Sequence, residues 1–292
     1  MLLRSSKRPL LSIILPTCDR QKETERAIAS ILVQTVEDFE IIVIDDCKES
    51  PFQLPEQLRD GRIKLVRHHT NLGAAAARNT GTRLASGHWL GYLDSDDWWP
   101  KGTLQVRLQY AEERQKAGDG LLTAYGCGFS HFSETGGVLR TRMPKSAERS
   151  EDFASGCWFC PGSAVLIQRS AAMVIGPQDC SLRRLEDLDW FLRFSLHGGR
   201  LVVQNIVGAM ICAGHGPPDK TVVAAVKLLQ HKWIDLPSEL SAKALRNLRS
   251  YLLLERGASA FRNGATLTGA TYLVRSLMVV PRLKPHLSPA WA

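Results

Sequence analysis

The sequence predicts an α/β fold: a mainly parallel sheet flanked by helices, with a C-terminal helical extension. Short β-branched and aliphatic runs alternate with segments of helical periodicity. Such alternation is that of right-handed βαβ units, which build a parallel sheet covered on both faces. With 292 residues, 44% of them hydrophobic and 23% charged, the chain can bury the core of one large domain plus an appendage. The same composition excludes a disordered chain, a collagen and a small disulfide scaffold.

Residues 10–15 form an aliphatic run halted after Pro16, a buried strand. A helix is expected over 21–34, where Ala27, Ile28, Ile31 and Leu32 share a face and Lys22, Glu23, Glu25 and Arg26 lie elsewhere. Residues 40–45 read as the next strand and 63–67 as a third. A second helix runs over 74–85, closed by Gly87. Residues 88–93 make a strand that enters Asp94-Ser95-Asp96-Asp97, and Pro100 opens a helix over 101–116. Trp98 and Trp99 are expected to pack beside the ligand, and Glu186 begins a helix running to His197. The N-terminus carries Arg4, Lys7 and Arg8 but reaches the first strand without the apolar stretch of a signal peptide, so no leader is expected. No uninterrupted apolar run of about 18 residues suggests a spanning helix.

A parallel sheet places its ligand at the carboxyl ends of its strands. The polar residues concentrate there: Thr17 and Asp19 after the first strand, Asp45 and Asp46 after the second, and Asp94, Asp96 and Asp97 after a later one. Carboxylates crowded on one sheet edge repel unless a cation sits among them, and a divalent metal carrying a phosphorylated ligand meets that need. A lone aspartate after a strand is ordinary turn chemistry, but a turn needs one, not three. Neither common glycine-rich phosphate loop is present. Diphosphate binding then rests on metal and basic groups, and aspartate oxygens suit Mn²⁺ or Mg²⁺.

Four stretches in this order, Ser12-Ile-Ile-Leu-Pro-Thr-Cys-Asp-Arg20, Ile41-Ile-Val-Ile-Asp-Asp46, Asn71-Leu-Gly-Ala-Ala-Ala-Ala-Arg-Asn-Thr-Gly81 and Ala85-Ser-Gly-His-Trp-Leu-Gly-Tyr-Leu-Asp-Ser-Asp-Asp-Trp98, resemble the family 2 glycosyltransferases. A fifth, Arg184-Leu-Glu-Asp-Leu-Asp-Trp-Phe-Leu-Arg193, is similar to that family's acceptor-side motif, and the likeness covers roughly residues 10–215. The resemblance implies a Rossmann-like sheet of GT-A type and transfer of a sugar from a nucleotide diphosphate donor, usually of uridine. It implies that Pro16, Thr17, Asp19, Asp45, Asp46, Arg78, Asp94 and Ser95 bind the nucleotide sugar, with Asp45 on the base and Asp94 facing the ribose. Asp96 would hold the metal, with Asp97 a second ligand, and Asp187 would be the base, beside Glu186 on the acceptor side. Cys18 departs from the pattern, standing where a tyrosine commonly stacks on the base.

Some residues carry two readings. Asp187 also suits a helix N-terminus, favoured by the dipole alongside Glu186 and Asp189. Trp190, Phe191 and Phe194 form a stripe that suits a core, while Trp190 would also suit a sugar platform in the acceptor site. His215, between Gly214 and Gly216, reads either as a surface-loop residue or as a late metal or diphosphate ligand. The seven cysteines are too dispersed for a secreted disulfide framework, and Cys157 and Cys160 lack the partners of a zinc site, so structural thiols are expected.

The net charge of +8 divides unevenly: residues 1–220 carry 27 basic and 26 acidic side chains, residues 221–292 carry 10 and 3. A catalytic domain over 1–220 and a basic helical extension over 221–292 are therefore expected. From Ser238 onward Leu240, Ala244, Leu248, Tyr251, Leu252 and Leu254 trace an apolar stripe, with Lys243, Arg246, Arg249 and Arg256 on other faces; a second segment spans 267–280. These helices either cap the domain or lie on a membrane, and packing with basic surface presented to anionic lipid is the preferred reading. Nucleic acid is not an expected partner, since no aromatic-rich basic platform appears. The sequence thus points to an inverting, metal-dependent glycosyltransferase at the cytoplasmic face of a membrane, acting on a saccharide or lipid-linked acceptor in surface polysaccharide or glycolipid synthesis. A sugar-phosphate nucleotidyltransferase would use a similar acidic edge but needs more basic residues after the first strand than Arg20; a non-catalytic donor-binding scaffold would not need Asp96, Asp187 and Arg78 together.

Overall fold

Strand β1 (Leu11–Thr17) sends Leu11, Ile13 and Leu15 to one apolar cluster and Ile14 to the other, so both faces of the sheet are covered. The computed structural model describes residues 8–47, 49–133, 137–214 and 216–281. Helix α1 (Gln21–Leu32) buries Ala27, Ile28 and Ile31 against the first face. Strand β2 (Phe39–Asp45) is buried throughout and is followed by β3 (Ile63–Arg67). Helix α2 (Ala74–Leu84) covers the second face, and β4 (Trp89–Tyr92) returns beside β1. Helix α3 (Thr103–Lys116) leads to β5 (Thr123–Phe132) and β6 (Val138–Arg142). A short α4 (Ser150–Phe153), β7 (Val165–Gln168), α5 (Arg169–Ile175), α6 (Glu186–Leu196) and the long β8 (Arg200–Cys212) complete the sheet and its cover.

The strand order is β3-β2-β1-β4-β7-β5-β6, with β8 on the other side of β5. The parallel pairings β1–β2, β2–β3, β1–β4 and β5–β8, and the antiparallel pairings of β7 with both β4 and β5, set β1 to β5 and β8 in one direction. Only β6 and β7 run against them. The expected α/β architecture is therefore present as a mixed sheet whose strands mostly share one carboxyl edge. In-register pairing aligns Thr17 with Asp45, while the partner of Ile14 is Tyr92, two residues before Asp94. Three acidic strand ends thus meet on that edge.

The C-terminal part continues as α7 (Asp219–Gln230), α8 (Ala242–Arg262) and α9 (Thr266–Val279). Leu240, Ala244, Leu248, Tyr251 and Leu252, five of the six stripe residues read in the sequence, are buried in the same cluster as Ile14, Ile42 and Ile167 of the sheet, and Leu254 is buried outside it. Val222, Ala225 and Leu229 of α7 join them. The apolar faces of α7 and α8 are spent on the domain, as hydrophobic burial dictates for an amphipathic helix.

At the amino end of the strands a buried carboxylate ties four segments. Glu40 Oε1 accepts hydrogen bonds from Ser12 Oγ (2.6 Å), Ser86 N (2.7 Å) and Ser86 Oγ (2.7 Å), and its Oε2 meets Lys64 Nζ at 2.6 Å. Gly87 is needed here for close approach rather than to cap α2, which ends at Leu84: a Cβ on it would stand 2.6 Å from Ser12 N. Burial pushes the Glu40 carboxyl up, but Lys64, Ser12 and Ser86 together hold it down at about 2. A carboxyl depressed in the folded state stabilises above its unfolded value and loses that contribution as pH falls. Glu40→Ala should therefore lower the urea midpoint at neutral pH, and the gap from the parent protein should close as pH falls from about 4.5 towards 2. A gap of constant size over that range would show that the clamp does not hold these segments.

Candidate active site

The shared carboxyl edge opens into a cleft of about 1150 Å³, bounded by the ends of β1 and β4, the start of α6 and the segment after β8. Pro16 and Thr17 line it from β1. The Thr17 hydroxyl hydrogen-bonds Thr24 Oγ1 at 2.6 Å, which anchors the strand end to α1. Asp19, between the lining residues Cys18 and Arg20, is exposed and left-handed, with φ 53°.

The two aspartates after β2 separate. Asp46 lines the cleft, and its carboxylate accepts from the amides of Leu72 (2.8 Å) and Gly73 (2.6 Å), fixing the entry to α2. Asp45 is fully buried and is not among the residues lining the cleft: its oxygens accept from the amides of Cys47 (3.2 Å) and Phe52 (2.8 Å), and Arg67 Nε stands 3.3 Å away. It organises the loop after β2 and is not brought to the cleft.

Beyond β4, Asp94, Ser95, Asp96 and Asp97 all line the cleft, each with different partners. Asp94 Oδ1 pairs with Arg78 Nη2 at 2.8 Å, and Gly162 packs so close that a Cβ there would strike the Asp94 carboxylate. Asp96 Oδ2 pairs with Arg20 Nη1 at 2.9 Å, and Arg26 donates to the Asp96 carbonyl at 2.6 Å while lying 4.5 Å from the centre of the Trp98 ring. Asp97 is buried, and both its oxygens are used, by Ser163 Oγ at 2.6 Å and the Cys212 amide at 2.8 Å. Its carboxylate joins the segment after β4 to the end of β8. Burial pushes the Asp96 carboxyl up, and Asp94 adds to the rise against the opposing Arg20. Burial likewise raises Asp97 well above its usual range, helped by Asp94 and Asp96. An edge that holds its carboxylates at this cost fits a cation: Asp96 opens to the cleft, and only a half-exposed arginine competes for it.

Across the cleft Leu185 is left-handed at φ 63°, and this turn aims the first residues of α6 inward. Glu186 Oε1 accepts from Arg78 Nη1 at 2.7 Å, so Glu186 is committed to that arginine. Asp187 lines the cleft with one oxygen accepting from the Leu188 amide at 2.7 Å. Burial and the Glu186 carboxylate raise Asp187 to about 6, against the pull of Arg184 and Arg78. The buried Arg78 binds the two sides, and its Nε finds no hydrogen-bond partner among the described residues.

Trp190 is a core residue rather than a cleft platform. Its indole donates to the Gly176 carbonyl at 2.8 Å and its ring stacks on Phe194 with centroids 5.8 Å apart. Trp190 is buried in the apolar cluster with Phe191 and Phe194, one turn further into the domain than Asp187. His215 lies outside the described residues. Several cleft residues were not expected there from the sequence: Arg26, Arg184, although it opens the acceptor-side motif, and Tyr251 and Arg262, which reach it from α8. The non-glycine residues with left-handed backbone among those described are Asp19, Cys160 and Leu185, and all three border the cleft or line it. Such conformations cost about 1–3 kcal/mol each and persist where surrounding structure enforces them. All seven cysteines are free thiols, and burial raises both Cys157 and Cys160 well above their usual range.

The chain is 38% identical over 101 residues to a UDP-Glc:alpha-D-GlcNAc-diphosphoundecaprenol beta-1,3-glucosyltransferase of Escherichia coli, a match that covers 34% of this chain and 40% of that one. It is 27% identical over 201 residues to an amylovoran biosynthesis glycosyltransferase of Erwinia amylovora, covering 66% of each chain. The chain thus spans between about two fifths and two thirds of the length of these curated relatives. Its fold superposes on a mannosyltransferase of Pyrobaculum calidifontis, solved with GDP-Man and Mn²⁺, with a TM-score of 0.60 over 95% of this chain and 77% of that one at 19% identity. Residues 12–176, more than half of the sequence, match the family described as glycosyl transferase family 2, and the chain belongs to that family.

Proposed function

We propose that this protein is an inverting, metal-dependent glycosyltransferase that moves a sugar from a nucleoside diphosphate donor, with uridine the expected base, to a hydroxyl of a saccharide or lipid-linked acceptor. The observation that carries the reading is Asp187, a carboxyl raised to about 6 at the start of α6, facing the same cleft as Asp94 and Asp96. A proton acceptor and a cation-binding edge on opposite walls of one cleft are what such a displacement requires. The supporting relatives are named for amylovoran biosynthesis and for a diphosphoundecaprenol-linked sugar, which favours surface polysaccharide or glycolipid as the product.

In this reading Pro16, Thr17, Cys18 and Asp19 border the base, and Asp46 shapes that end through the loop it pins. Asp94 and Ser95 lie along the ribose and diphosphate, and the Arg78 guanidinium held by Asp94 adds positive charge at that end. Asp187 takes the proton of the acceptor hydroxyl. The acceptor oxygen bonds to the anomeric carbon from the face opposite the diphosphate, the bond to the leaving oxygen breaks with its electron pair, and the configuration inverts. Glu186 holds Arg78 rather than touching the acceptor. A divalent cation, Mn²⁺ or Mg²⁺, held by Asp96 in exchange for Arg20, would supply Lewis-acid neutralisation of the departing diphosphate.

We place residues 1–220 as the catalytic body and 221–292 as its extension, working peripherally at the cytoplasmic membrane face. No described helix is long and apolar enough to cross a membrane. Helix α9 instead leaves Leu267 (86% exposed), Val274 (56%) and Met278 (79%) along one side, with Arg275 exposed on the same helix, a pattern suited to the surface of an anionic bilayer.

Asp187→Asn should reduce kcat by about 10²–10⁴-fold while leaving donor affinity within error, the usual size of a general-base contribution. In the parent protein kcat/KM should rise with pH and level off above about 6, since the base acts only when ionised, and this limb should vanish in the variant. Unchanged turnover would remove Asp187 from the reaction. Titration calorimetry with uridine diphosphate should show binding that needs Mn²⁺, is lost with chelator, and is lost in Asp96→Ala; affinity independent of metal would sink the cation assignment. Vesicles containing phosphatidylglycerol should sediment the protein, those of phosphatidylcholine alone should not, and the double variant Leu267→Asp with Met278→Asp should stay in the supernatant. Equal sedimentation of parent and variant would overturn the α9 surface as the membrane contact.

A further inference from the structure

At the end of the cleft assigned above to the base, a second group of metal-ligating side chains converges, chemically distinct from the acidic edge. Cys18 follows β1 and lines the cleft, Asp19 follows it, and Cys47 lies two residues beyond the end of β2. One ligand atom of each lies within 4.8 Å of the others. Cys47 Sγ donates to Asp19 Oδ1 at 2.9 Å, and Cys18 Sγ stands 3.8 Å from Asp19 Oδ2. A tetrahedral zinc ion with bonds of about 2.3 Å to sulfur and about 2.0 Å to oxygen has ligand-to-ligand edges of about 3.5–3.8 Å. The two sulfur–oxygen separations, to the two oxygens of one carboxylate, lie on either side of the sulfur–oxygen edge of about 3.5 Å, so small side-chain rotations bring the three ligands towards it. Parallel pairing of β1 with β2 in register brings the two strand ends together, and the left-handed backbone of Asp19 accompanies a carboxylate turned to Cys47.

We propose that Cys18, Asp19 and Cys47 bind a thiophilic divalent cation, Zn²⁺ or its analogues, through two sulfurs and one oxygen, with the fourth position open to water or an external ligand. Each thiol gives its proton to solvent as its sulfur–metal bond forms, so two protons leave per cation and no electron is transferred. Ligand softness separates this site from the acidic edge: two thiolates select zinc, whereas carboxylates suit Mn²⁺ or Mg²⁺. The consequence for activity rests on the donor placement proposed above. A cation bound to Cys18 and Asp19 occupies the space of the nucleobase, so cation and nucleoside diphosphate exclude one another.

Cobalt(II) reports the site, because thiolate-bound cobalt absorbs by charge transfer where oxygen-bound cobalt does not. The reduced full chain, with Mg²⁺ in excess over the acidic edge, should develop this band at one cobalt per chain, and Zn²⁺ should abolish it. Cys18→Ser and Cys47→Ser should each lose the band while keeping the parent circular dichroism, and Cys180→Ser should retain it. Absence of the band, or its persistence in both Cys18→Ser and Cys47→Ser, overturns the site. Uridine diphosphate should then suppress the band, while inorganic diphosphate, added to leave the same concentration of free cobalt but carrying no base, should not; equal loss with both overturns the exclusion. Failure of uridine diphosphate to bind at all, measured by calorimetry without cobalt, would remove the donor reading and the exclusion with it, while the cobalt band still decides the site.

Discussion

The guanidinium of Arg78 is the interaction on which the cleft depends. It lies on α2, reaches Asp94 after β4 at 2.8 Å and Glu186 at the start of α6 at 2.7 Å, and so ties together segments more than one hundred residues apart in the chain. The site is buried, and a buried charge deprived of its partner is strongly destabilising because nothing replaces the lost hydration. Arg78 therefore sets the width of the cleft as well as its charge. Glu186, committed to the guanidinium, raises its neighbour Asp187, while Arg78 and Arg184 limit that rise. The electrostatic state of the proposed base is thus set by the same pair that holds the walls together.

The edge opposite Asp187 is built under strain of two kinds. Asp94, Asp96 and Asp97 crowd one strand end, where burial and mutual repulsion raise Asp96 and Asp97. Left-handed backbone at Asp19, Cys160 and Leu185 adds conformational cost around the same cleft. Stability elsewhere offsets this: the aliphatic strands β1 and β2 are buried on both faces, and Glu40 clamps the opposite end of the sheet with short hydrogen bonds. Separation of a satisfied amino edge from an unsatisfied carboxyl edge leaves charge available for a ligand without loosening the core.

Much of the fold was legible in the sequence because its N-terminal half is periodic. Aliphatic runs at 10–15 and 40–45 and the amphipathic pattern at 21–34 each appear within a residue or a few of their expected bounds. Strand β5 and the long β8 escaped, since β5 carries Gly126 and Gly128 and alternation in both is interrupted by bulges. The acidic cluster was legible as a cluster, but the individual duties of its members were not. Asp45, Asp46, Asp96 and Asp97 look alike in sequence, yet Asp45 holds the loop after β2, Asp46 pins the entry to α2, Asp97 is taken up by Ser163 and the Cys212 amide, and Asp96 meets Arg20 in the cleft. Trp190 likewise reads as either core or platform until the rotation of α6 is known.

The sequence by itself determined the class of fold, the edge on which the polar residues gather and the family, because strand periodicity and local motifs are properties of contiguous residues. Tertiary structure alone decided which carboxylates remain free, that the basic extension shares the core of the sheet domain, and that Tyr251 and Arg262 of α8 reach the cleft. It also brought Cys18 and Cys47 together through the parallel register of β1 and β2. The physical reason is the same in each case: burial, hydrogen-bond competition and convergence of ligands depend on distances between segments remote in sequence, and no local pattern encodes them.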